Sequence, residues 1–134
     1  MQKGKLIING GKLYVTNNYT MQGGTVEMSN ANDYIYVGGN FTTSSTDPST
    51  LTNGTLEVAG NLTQTGSNTS FSASGNHNTI LSGTGVQSIS FDSATDPNTT
   101  TAGNHFNTLT ITKPIDTGYT FNIKPVWKTL IQKQ

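Results

Sequence analysis

The sequence predicts an all-β fold, a parallel β-helix or β-solenoid whose coils recur at sequence offsets of 21 or 22. Three observations predict it. Blocks of sequence recur at a nearly fixed offset, each block alternates apolar and polar residues, and the chain is too poor in apolar residues for a thick core. Apolar residues make up 31% of the 134, against a globular norm of roughly 45 to 50%. Thr, Gly, Asn and Ser number 24, 15, 15 and 12, about half the chain. Charged residues are only 10% and the net charge is zero, whereas unfolded chains usually carry high net charge. A thin, regular β structure satisfies both facts.

The repeat is explicit. Val15, Asn18, Tyr19 and Thr20 align with Val37, Asn40, Phe41 and Thr42, and again with Val58, Asn61, Leu62 and Thr63, at offsets of 22 and 21. Ahead of each block stands a second apolar residue, Leu13, Ile35 or Leu56, two positions before the valine. Such alternation is a half-buried strand. A glycine-led submotif recurs as GKLII (4–8), GKLYV (11–15), GTVEM (24–28) and GTLEV (54–58), each a short strand opened by a turn. Stacked in register, Leu13, Ile35 and Leu56 form one inward column, Val15, Val37 and Val58 a second, and Tyr19, Phe41 and Leu62 a third. Asn18, Asn40 and Asn61 stack at a corner, where Asn suits a bend and its amide bonds neighbouring coils.

After residue 64 two registers are open: Thr79–Gly83 on Thr55–Ala59 at an offset of 24, or Leu81 in the place of Val58 at 23. Later strands are expected within 86–91, 106–112 and 119–123. Two polar stretches, 44–53 and 92–105, each carry Thr-Asp-Pro, a turn signal, and read as loops leaving the stack. At ~4.8 Å per turn, roughly six turns give a body about 30 Å tall. The chain reads as one domain over 1–134, with regular turns over about 4–91 and strands and a cap over 106–134. The segment from Ile123 to Ile131, with the only Trp and a Pro, reads as a C-terminal cap or as the lead-in to another module. No targeting segment is expected, since Leu6 to Ile8 falls far short of a signal core or a ~20-residue span.

Composition excludes several functions. All seven cations are Lys, so bidentate recognition of phosphate or base edges is missing and nucleic acid is a poor partner. Zero Cys removes disulfides and thiolate chemistry. His77 and His105, far apart in the chain and each following Gly-Asn, lack the converging ligands of a zinc site. Asp33, Asp47 and Asp96 offer a weak case for calcium, without D-x-D spacing. No metal or cofactor is expected.

At GGNFTTSS (38–45), LTNGTLEVAGNLTQTG (51–66), FSASGNHNTILSGTGVQSISF (71–91) and HFNTLTITKPI (105–115), the chain resembles repeat modules in very large secreted or surface proteins of Gram-positive, clostridial-type bacteria. The resemblance spans about residues 4 to 131. It implies a β-solenoid building block of an extracellular or cell-surface bacterial protein, with neighbouring modules of a longer chain as partners. It carries over no catalytic motif and no site residues.

The residues themselves offer one binding face. Tyr14, Tyr36 and Glu57 share an outward column, and Tyr34 lies two positions before Tyr36 on the same face. Three tyrosines on a flat ladder suit stacking on sugar rings, with a cell-surface or plant polysaccharide as partner; outward Tyr also simply favours strands. Glu27 and Glu57 occupy equivalent T-φ-E-φ positions, and Asp92 and Asp96 are neighbours, as polysaccharide-cutting carboxylates would be. A lyase also needs a strong base and an enolate-stabilising cation, and Arg is absent. Thr108, Thr110 and Thr112 alternate on one face, as ice binding requires, but no Thr plane continues through the repeats at 13, 35 and 56. Six N-x-S/T sequons include Asn18, Asn40 and Asn61, which the corner ladder should shield. The expected function is a non-enzymatic structural or adhesion module without catalytic residues or membrane insertion, acting as rigid spacer or display scaffold. Its alternatives are a carbohydrate-binding module using Tyr14, Tyr34, Tyr36 and Glu57, then an ice-binding or polysaccharide-degrading β-helix.

Overall fold

The computed structural model describes residues 3–100, 102–112, 119–121 and 127–133, all of them strand, turn or irregular backbone without helix. The first coil holds β1 (Lys5–Ile7), β2 (Lys12–Val15) and β3 (Tyr19–Met21), and the second β4 (Thr25–Met28), β5 (Tyr34–Val37) and β6 (Phe41–Thr43). The third holds β7 (Thr50–Leu51), β8 (Thr55–Val58) and β9 (Leu62–Gln64). The fourth and fifth follow with β10 (Asn78–Leu81), β11 (Gln87–Phe91), β12 (Phe106–Ile111) and β13 (Tyr119–Phe121), and β14 (Trp127–Gln132) comes last. Every pairing is parallel. Three sheets result: β1-β4-β7, β2-β5-β8-β10-β12-β14 and β3-β6-β9-β11-β13. They form three walls of a β-solenoid.

The inward columns hold the stack. In the six-stranded wall Leu13, Ile35, Leu56, Thr79, Leu109 and Leu130 are aligned, as are Val15, Val37, Val58, Leu81 and Ile111. Leu81 therefore takes the place of Val58 at an offset of 23, which settles the open register. Phe71, Phe91 and Phe106 fill the middle with ring centroids 5.1 to 5.6 Å apart, and Tyr19 stacks flat on Phe41 at 5.6 Å.

The corner ladder forms as a chain of side-chain acceptors. The Asn40 N–H donates to Asn18 Oδ1 at 2.8 Å, Asn61 N–H to Asn40 Oδ1 at 2.8 Å, and Ser88 N–H to Asn61 Oδ1 at 2.9 Å. Each amide thus satisfies a backbone donor that a bend would otherwise leave exposed. Glycines beside it permit the close approach: a Cβ on Gly38 would lie 2.5 Å from the Thr16 carbonyl oxygen, and one on Gly60 would strike the Gly39 carbonyl. Gln87 closes the same corner one coil on, accepting from Gly83 N–H and donating to the Val58 and Gly60 carbonyls at 2.9 and 2.7 Å.

Two expectations change. About five turns are present rather than six. The coil between β10 and β12 is longer and consumes chain without adding a turn: Thr79 pairs with Leu109, whereas Ile35 pairs with Leu56 and Leu109 with Leu130. The stretch 44–53 is not wholly a loop: Thr50 and Leu51 are a strand of the three-stranded wall, while Ser45 Oγ donates to the Gly24 carbonyl and Ser49 Oγ accepts from Val26 N–H. At the C-terminal end Trp127–Gln132 pairs with β12 as a further strand; residues 123–126 of the expected cap lie outside the described residues.

Two stability outcomes follow from the packing. Gly60→Ala drives a methyl into backbone and should cost about 2 kcal/mol, a fall of roughly 5 to 10 °C in melting temperature, while Gly85→Ala, open within 4 Å, should leave it unchanged. Thr79 is buried in an apolar column and its hydroxyl has no partner, so Thr79→Val should stabilise by about 1 kcal/mol in chemical denaturation.

Candidate functional site

Outward positions of the six-stranded wall carry the tyrosine cluster. Strand alternation places Tyr14, Tyr36 and Glu57 in one register column, with Lys12, Tyr34 and Thr55 in the next. The rings do not make a flat ladder: Tyr14 sits 5.8 Å from Tyr34 and 6.3 Å from Tyr36, tilted by 54° and 47°. Strand twist and the bulk of three rings on two adjacent coils favour tilted packing over coplanarity. Tyr14 is 64% exposed, whereas Tyr34 and Tyr36 are half-buried and buttress it. The Tyr34 hydroxyl donates to Glu57 Oε2 at 3.0 Å across the coil boundary. Partial burial, with the adjacent Glu57 carboxylate, pushes the Tyr34 phenol up to about 12, so it stays a neutral donor. The result is one open aromatic face, two supporting rings and a fixed carboxylate.

The acids do not converge. GTVEM and GTLEV, alike in sequence, lie on different walls, so Glu27 sits with β4 and Glu57 with β8. Glu27 pairs with Lys5 at 3.2 Å on the surface, Asp92 accepts from Gly66 N–H, and Asp96 accepts from Asn98 N–H within its own loop. Asp33 is buried and accepts from the Gly10 and Asn30 N–H groups, fastening two coils at a turn. No cluster of three or more metal-ligating side chains occurs among the described residues.

Hydroxyls and amides sort similarly. Thr110 is buried and donates to Asn78 Oδ1, and Thr112 donates to the Leu81 carbonyl, so that row is turned to internal bonding. Thr20, Thr42 and Thr63, aligned by the repeat in the sequence, lie on the outside of the β3-β6-β9-β11 wall, and the column continues into Ser90, which the repeat did not mark. Asn18 and Asn40 are exposed despite their ladder bonds, which corrects the shielding expected for those sequons: only the amide oxygen is engaged, and the bend itself faces solvent.

Both histidines are interior. Nδ1 of His77 lies 2.9 Å from the Asn53 carbonyl, which can only accept, so Nδ1 carries the proton and the buried Nε2 is unpartnered. Burial lowers the imidazole to about 4. His105 packs with its Nδ1 3.0 Å from Thr95 Oγ1, and burial lowers it too. A cleft of about 150 Å³ lies beside it, lined by Ala73, Ser74, Gly75, Pro97, Asn107 and Lys128, but the Asn107 amide is already committed to the Gly75 and His77 carbonyls. The apolar void among Met21, Ile35, Phe41 and Phe71, about 10 Å³, is too small for a ligand.

The unfolded imidazole binds a proton near pH 6.5 and the native His77 only near pH 4. Between those values the unfolded chain holds the extra proton, so stability is lost as pH falls, by about 1.4 kcal/mol per pH unit and about 3 kcal/mol in all. Urea denaturation from pH 7 to pH 4 should show that slope, and His77→Leu should flatten it. An unchanged slope in the variant would contradict a neutral, buried His77.

Comparison with known proteins found no matching family model, no matching curated protein and no matching solved structure.

Proposed function

We propose that the chain is a non-enzymatic structural and adhesion module of an extracellular bacterial surface protein, serving as a rigid spacer or display scaffold. One observation carries this reading: the inward columns of the six-stranded wall run in register from β2 to β14, through both polar insertions. A body whose every coil is hydrogen-bonded and packed to the next resists bending and holds side chains at fixed spacing. The sequence resemblance to bacterial surface repeats supports the location. The dispersal of Glu27, Glu57, Asp92 and Asp96 into separate local roles supports a non-catalytic part.

A second reading, carbohydrate recognition, is favoured by the tyrosine cluster. Tyr14 offers an open ring face, Tyr34 and Tyr36 fix its angle, and the Glu57 carboxylate lies at the rim to accept from a sugar hydroxyl. Its ordering cost is small because Glu57 and Tyr34 are already bonded.

The two readings separate in one experiment on the folded protein, an insoluble-polysaccharide pull-down with a glycan array, run beside a turnover assay on pectin, alginate and xylan. The spacer reading expects no turnover, and release of sugar from any substrate would overturn it. If a polysaccharide is retained, Tyr14→Ala should weaken retention about tenfold, the worth of one stacked ring, with no change in melting temperature. Retention unaffected by Tyr14→Ala, Tyr34→Ala and Tyr36→Ala would dispose of the aromatic site.

A further inference from the structure

We propose that the Asp96–Pro97 peptide bond is a self-cleavage site, opened by the Asp96 carboxylate itself. The chain carries Thr-Asp-Pro twice, at 46–48 and 95–97, so the second copy serves as an internal comparison. An Asp-Pro bond is suited to attack from within. The carboxylate can close a succinic anhydride ring on its own carbonyl carbon without leaving the residue, and the leaving nitrogen belongs to a tertiary amide. The step balances. An Asp96 carboxylate oxygen bonds to the Asp96 carbonyl carbon, the C–N bond to Pro97 breaks, and the proline nitrogen takes a proton from solvent. Water then opens the anhydride, leaving a carboxylic acid at the end of 1–96 and a free amine on Pro97. Nothing is oxidised or reduced, and the event is a single intramolecular one without turnover, so the spacer reading stands beside it.

The surroundings of the two copies differ. The Asp96 carbonyl oxygen accepts from Thr99 N–H at 3.1 Å, Thr100 N–H at 3.2 Å and the Thr99 hydroxyl at 3.0 Å. These donors surround the atom on which negative charge develops as the carbon becomes tetrahedral. All three are longer than is usual for their kind, so they can tighten as the charge appears and favour the transition state over the ground state. Asp96 Oδ1 accepts from the Asn98 N–H at 2.9 Å; that donor stands two residues on, which holds the carboxyl across the bond it attacks. Asp96 is exposed, so water reaches it. Asp47 is exposed too, but among the described residues no hydrogen bond reaches its carbonyl or its carboxylate.

The chain is fastened on both sides of the cut. Thr95 N–H donates to the Asn104 carbonyl, the Asn104 amide donates to the Ser93 carbonyl, and a Cβ on Gly103 would strike the Thr95 side chain. β12 is paired to β10. Cleavage therefore leaves 1–96 and 97–134 joined in one folded body, with a new amino terminus on an exposed loop.

The test follows intact mass under denaturing conditions after incubation at about pH 5, where both the ionised carboxylate and a proton donor are present. Protein kept folded, as circular dichroism verifies, is compared with protein in urea. The ratio of cleavage at Asp96 to cleavage at Asp47 should be at least about tenfold higher in the folded protein, and the cut protein should keep its native sedimentation coefficient. Asp96→Asn keeps the bond to Asn98 but lacks the attacking carboxylate, and should abolish this cut. Thr99→Val removes one of the three donors and should slow it at least about fivefold. A ratio that does not rise on folding overturns the proposal. So does a folded chain left uncut while the chain in urea is cleaved, or a cut that persists in Asp96→Asn.

Discussion

A single coil of this chain cannot bury its own apolar residues; burial runs along the axis, from one coil to the next. Leu13 and Ile35 occupy equivalent positions in equivalent strands, yet Leu13 is half-buried and Ile35 is 2% exposed. The difference is the coil on either side. Register follows from the same constraint, because a one-residue slip would turn every inward Val, Leu and Ile to solvent. Stability is therefore collective, a sum of neighbour interfaces rather than the property of one thick core.

Where the repeat lengthens, neutral amides keep the walls together. Gln87 reaches back to the Val58 carbonyl, and Asn104 accepts from Phe71 N–H and donates to the Asn68 and Ser93 carbonyls. Gln64 joins Gly66, Asn68 and Ser93 at the next corner. A buried amide needs only hydrogen-bond partners, whereas a buried charge carries a large desolvation cost. This explains how a chain with 10% charged residues and no cysteine accommodates long insertions without disulfides or, among the described residues, buried ion pairs.

In the six-stranded wall β2, β5 and β8 were legible in the sequence because two periods coincide there, alternation within a strand and a nearly constant offset from each strand to its neighbour in the next coil; the longer step from Thr79 to Leu109 breaks the second period. The three-stranded wall was not legible. GKLII and GTVEM pair with each other, Lys5 on Thr25, but their pattern matches GKLYV and GTLEV equally well, and only pairing assigns them to a separate face. β7 was hidden because so short a strand, Thr50 and Leu51 alone, cannot display a period. Phe71 and Phe106 escaped notice because no repeat partner marks them. At the tyrosine site alternation revealed which residues share a face; the ring tilts, and the bond from Tyr34 to Glu57, depend on torsions that alternation does not encode.

Division of labour between inward, corner and outward positions follows from this geometry. Inward positions are committed to the column and corner positions to Asn, Gly and Gln, but an outward position on any wall is constrained only by its neighbours on that wall. The outside can therefore change from Lys, Tyr, Thr and Glu at β2, β5 and β8 to Asn, Ile and Thr at β10 and β12 while the inside keeps one register, aliphatic but for Thr79.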